Sequence, residues 1–79
     1  MKYLGGPISE EEFWLRVNCY GQVKVEYARK WLVEHGYNMI YKDAPIRVRV
    51  ECDKFLDRIM GTKEARDRIA ALLKQKRKL

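Results

Sequence analysis

The apolar residues of this chain change their spacing twice, and each change marks a predicted element. Phe13, Val17 and Tyr20 recur at helical spacing, with Trp14 and Leu15 widening the stripe. Ser9 is placed to cap this helix, Glu12 completes a capping box, and Ile8 and Phe13 occupy the staple positions. Glu10, Glu11 and Glu12 suit the positive end of the helix dipole. Gly21 is taken as the end of this helix. A second helical run follows over Lys24–His35, with Ala28, Trp31, Leu32 and His35 on one face. Gly36 suits a left-handed position just past its end, with Tyr37 reaching back to Leu32.

After Tyr37 the period falls to two. Ile46, Val48 and Val50 alternate with Arg47, Arg49 and Glu51, which predicts a half-buried strand. Asn38–Lys42 is the expected partner strand, turning through Asp43-Ala44-Pro45. A third helix is expected from Cys52-Asp53, with Asp53 as its cap, Phe55, Leu56, Ile59 and Met60 as its apolar stripe, and Gly61 as its close. Thr62 then caps a fourth, whose stripe is Ala65, Ile69, Leu72 and Leu73. These elements predict an α+β fold, a small winged helix-turn-helix (α-α-β-β-α) with an additional C-terminal helix. The expected organisation is an arm over 1–8, a winged-helix domain over 9–61, and a C-terminal helix with a basic tail over 62–79.

Composition narrows the function classes. At 79 residues and 47% hydrophobic content the chain is sized for one folded domain. Its apolar runs are too short to span a bilayer, and its start lacks a signal peptide's apolar core, so a cytoplasmic protein with no membrane partner is expected. Sequence signatures of a nucleotide site, a serine nucleophile or a zinc protease are lacking, so no enzymatic activity and no cofactor are expected. His35 is the single histidine, and Cys19 and Cys52 stand far apart, so no metal site is expected and the cysteines read as small apolar residues.

The net charge is +6, but Lys74-Gln75-Lys76-Arg77-Lys78-Leu79 supplies four positive charges and no negative one. In a winged helix-turn-helix the second helix enters the major groove and the wing follows adjacent phosphates. The second predicted helix offers Gln22, Lys24, Tyr27, Arg29 and Lys30, and the wing offers Lys42, Arg47 and Arg49. Arg47 and Arg49 would share one side of a strand. Lys74, Lys76, Arg77 and Lys78 form a tail suited to nonspecific phosphate or partner contacts.

The run from Trp31 to Lys42, continuing through Ile46–Ile59, resembles the small excisionases of conjugative transposons and phages, which have a MerR-type winged helix. The closest match is the wing strand running into Asp53-Lys54-Phe55-Leu56. The segment Val17–Val23 departs from that family by lacking its Ala-x-x-Leu-Gly-Val-Ser type turn. The resemblance implies a recombination directionality factor: a non-enzymatic protein that binds and bends double-stranded DNA and directs a tyrosine integrase. Lys24, Arg29 and Lys30 would then be recognition-helix contacts and Arg47 and Arg49 wing contacts. A small transcriptional regulator would use the same face. An interaction module acting or self-associating through the C-terminal helix is the alternative from another class.

Overall fold

The computed structural model describes residues 4–77, and Lys78 lies outside them. Its elements are α1 (Glu10–Glu34), a 3₁₀ turn (Tyr41–Asp43), α2 (Ile46–Ile59) and α3 (Lys63–Arg77). Among the described residues there is no strand, so the α+β winged helix is replaced by an all-helical fold.

The first two predicted helices are one. Gly21 lies inside α1, which runs unbroken for 25 residues. A glycine in a helix interior costs about 1 kcal/mol relative to alanine, an amount that packing on both flanks readily offsets. At about 1.5 Å per residue α1 is about 37 Å long, nearly the whole 41 Å extent of the molecule. Its ends are set by local chemistry. Ser9 takes an extended conformation and its hydroxyl accepts from the Glu12 amide at 3.2 Å. At the other end Gly36 has φ 81°, and the Tyr37 amide donates to the Leu32 carbonyl at 2.9 Å. The Gly36 amide donates to Val33, completing a Schellman motif.

The predicted hairpin is absent. Ile46–Glu51 is the first half of α2, which starts after Pro45. Alternation over six residues suits a strand or a helix, and here the longer register wins. Val48, Cys52 and Leu56, spaced four apart, are all buried, whereas Ile46 is 72% exposed and Val50 is 47% exposed. Asp53 is consequently an interior residue of α2 rather than a cap, and of the expected partner strand Asn38–Lys42 the first three residues are irregular and the last two belong to the 3₁₀ turn. The Tyr41 hydroxyl donates to Asp53 at 2.7 Å and ties this segment to α2. Arg47 and Arg49 no longer share a side, because successive odd positions on a helix are about 200° apart.

α2 and α3 both run antiparallel to α1. Val48 packs with Leu32 near the C-terminal end of α1, and Leu56 borders the hollow that Ala28 also lines. Beyond the break at 60–62, Arg68 approaches Glu26 at 3.9 Å and the Arg77 guanidinium pairs with Glu12. Thr62 holds the break: its hydroxyl donates to the Ile59 carbonyl at 2.6 Å and accepts from the Ala65 amide at 3.3 Å. The buried residues of α1 rotate accordingly. Cys19, Val23 and Tyr27 lie on one side, and Ala28 and Leu32 lie further round. Ala65 is fully buried, and Ile69 and Leu72 pack against the same cluster as Val23, Tyr27, Cys52 and Leu56. Three of the four positions of this apolar stripe, Ala65, Ile69 and Leu72, are thus spent inside the chain, and Leu73 is half-buried outside the core clusters.

Candidate nucleic-acid interface

The residues expected to contact DNA are dispersed over this fold. Gln22, Arg29, Lys42 and Arg47 are exposed, and Lys24 is half-buried. Lys30 is exposed and stands 3.9 Å from Glu34 on the next turn. Tyr27 is only 4% exposed, and the Arg68 guanidinium stacks over its ring at 5.5 Å. It is a core residue, with no edge free to meet a base. Arg49 is half-buried, and its Nε is buried with no hydrogen-bond partner among the described residues.

Lys24 and Arg29 do come together. With Val25 and Ala28 they form the α1 wall of a hollow of about 220 Å³, closed by Ile40 and Tyr41 and by Asp53 and Leu56 of α2. The contact with Asp53 is the main reason the Tyr41 hydroxyl titrates above its ordinary value. Burial and the Asp53 charge add to that rise, and Arg49 opposes it. Burial likewise pushes the Cys52 thiol upward, with Asp53 reinforcing it. His35 stacks on Trp31 with ring centroids 4.1 Å apart, and its Nδ1 lies 2.8 Å from the Trp31 carbonyl. That places the single histidine in packing at a helix end. Among the described residues no group of three or more His, Cys, Asp or Glu side chains is placed to hold a metal ion. No helix among them is long and apolar enough to cross a membrane.

Charge is divided unevenly among the helices. α1 carries four basic and five acidic residues, and α2 four basic and three acidic. α3 carries six basic residues, Lys63, Arg66, Arg68, Lys74, Lys76 and Arg77, against Glu64 and Asp67. At about 100° per residue, Lys63, Arg66, Ala70, Lys74 and Arg77 fall within an arc of about 80°. That arc points away from buried Ala65, and all five residues are exposed. Asp67 is the acidic residue at its edge. Arg77 is engaged by Glu12, whereas Lys63, Arg66 and Lys74 have no ion-pair partner among the described residues. Lys76 is half-buried on the inner side.

Lys63 and Arg66 were not among the expected contacts. Their signal was present in the sequence as the charge of the fourth predicted helix taken whole, rather than of its last six residues. No protein-family model, curated protein or solved structure matches this chain.

Proposed function

We propose that the chain binds double-stranded DNA, with the outward face of α3 as the contact surface. The observation that carries this reading is the alignment of Lys63, Arg66, Lys74 and Arg77 along one side of a helix whose other side is packed. From Lys63 to Arg77 the stripe is about 21 Å long, enough to follow several phosphates of one strand. Ala70 lies in its middle, so no bulky side chain holds the helix away from a groove wide enough to admit one. The excisionase resemblance rested on a winged hairpin that this fold lacks, so the proposal is confined to duplex binding.

Fluorescence anisotropy with a labelled duplex tests it. The triple variant Lys63→Glu/Arg66→Glu/Lys74→Glu should bind about 10- to 100-fold more weakly at low salt, with a salt slope lower by about 2–3. Its far-ultraviolet circular dichroism should match the parent, since all three side chains are exposed. Undiminished affinity would remove α3 from the contact surface.

A further inference from the structure

One side of α1 is only partly covered by its own chain: Glu10, Trp14 and Val25 on it are exposed, Val17 and Gly21 are half-buried, and Ala28 at its end is buried. At about 100° per residue, Glu10, Trp14, Val17, Gly21, Val25 and Ala28 fall within an arc of about 80°, and successive members stand three or four residues apart, as along a helix seam. This arc lies opposite the side that α3 covers, which carries Glu12, Cys19, Val23 and Glu26. Trp14 is 38% exposed and Val25 is 56% exposed, and at the mouth of the adjacent hollow Ile40 is 54% exposed. Trp14 and Val25 share this arc, whereas Tyr20 and Val33, the other exposed large apolar residues of α1, lie off it. Gly21 sits mid-stripe. A Cβ placed there would meet nothing within 4 Å, so nothing in its own chain requires a glycine at that point. Gly21 therefore leaves the middle of the stripe without a side chain, where an approaching surface can come close to the backbone.

Charge selects what approaches. At one end of the stripe stand Glu10 and Glu11; at the other stand Lys24 and Arg29, neither of which has an ion-pair partner among the described residues. The face is self-complementary when reversed. At 220 Å³ the hollow falls below the roughly 300–1,000 Å³ of pockets that enclose a whole small-molecule ligand, and it suits a single large side chain.

We propose that this face is a dimer surface for a second copy of the chain. The two α1 helices pack antiparallel about a two-fold axis beside Gly21. Glu11 of each copy meets the partner's Arg29, which brings Trp14 beside the partner's Val25 and the mouth of its hollow. Such an isologous contact closes at two copies and does not grow into a filament. It leaves the outward face of α3 free, and it does not depend on DNA binding.

Sedimentation velocity across a dilution series, up to about 0.5 mM protein, tests the proposal. The parent chain is expected to run as a dimer at the top of the series and as a monomer after dilution. Gly21→Gln should stay monomeric while its thermal midpoint holds or rises, a pairing that a purely structural glycine would not produce. Glu10→Lys/Glu11→Lys and Lys24→Glu/Arg29→Glu should each be monomeric alone and dimerise when mixed in equal amounts. If the lysines fray the start of α1, Trp14→Gln supplies a second monomeric variant. A parent chain that remains monomeric throughout, a Gly21→Gln protein that dimerises like the parent, a charge-swapped mixture that stays monomeric, or growth beyond two copies would each overturn it.

Discussion

The two helices that return along α1 hold it in different ways. α2 contributes Val48, Cys52 and Leu56, all at most 4% exposed, and is further tied through Asp53 to the Tyr41 hydroxyl. α3 contributes one fully buried side chain, Ala65, supported by the half-buried Ile69 and Leu72, and adds Arg68 over the Tyr27 ring and Arg77 on Glu12. Buried apolar surface contributes about 25 cal/mol per Å² and is not screened by salt, whereas exposed ion pairs contribute little and are screened. The C-terminal half of α1 is therefore fastened mainly by its core, and the N-terminal half partly by contacts that salt weakens. The near-neutral helix builds the interior; the basic one leaves most of its charge facing outward.

The difference is open to direct attack. Leu56→Ala should lower unfolding stability by about 2–5 kcal/mol, whereas Leu72→Ala on α3 should cost about 1–2 kcal/mol because that site is partly open and leaves a smaller cavity. Equal losses in urea melts would show that the two helices are docked alike. In DNA binding the asymmetry should reverse. Arg47→Ala/Arg49→Ala on α2 should change duplex affinity less than about threefold, against the far larger loss expected from reversing Lys63, Arg66 and Lys74. A comparable loss from both variants would spread the contact over two helices.

Smaller effects sharpen the same contrast. Removing the cap with Ser9→Ala should cost about 1 kcal/mol, read out as faster amide exchange in the first turns of α1, the half that α3 covers. Tyr41→Phe should cost less than about 1 kcal/mol at neutral pH, because the hydrogen bond it removes is exposed. Its value lies in the alkaline limb. Tyr41 titrates higher in the folded chain than in the unfolded one, so its contribution is intact below the ordinary tyrosine value and lost as pH rises through the folded value. Stability of the parent should therefore fall more steeply than that of the variant above about pH 10. Parallel curves would show that the contact with Asp53 does not hold in solution.

What was legible in the sequence was chemistry confined to a few neighbouring residues. The Ser9 cap, the Gly36 and Tyr37 closure, and the Thr62 start of α3 each depend on side chains within about four positions, and each is found where the sequence puts it. Gly21 and Ile46–Glu51 depend on distant partners. Gly21 is carried through by packing on both flanks of α1, and nothing beside it signals that. The alternation of Ile46, Val48 and Val50 is helical only when Cys52 and Leu56 are counted in the same register, outside the span that suggests a strand. The expected contact residues followed the expected fold: once the strand becomes helix, Arg47 and Arg49 diverge and Tyr27 is interior. The basic side of α3 was legible throughout, but as a helical stripe rather than as the tail on which the charge count first fell.

Cys19 and Cys52 have 0% exposure, lie on different helices and are both free thiols. The upward shift of Cys52 lowers its thiolate fraction further, so attack by a disulfide reagent must wait for the helices to part. The folded chain thus carries two internal clocks. If both thiols are labelled at one rate, the molecule opens as a unit; if they separate, each rate gives the opening frequency of its own part of the fold.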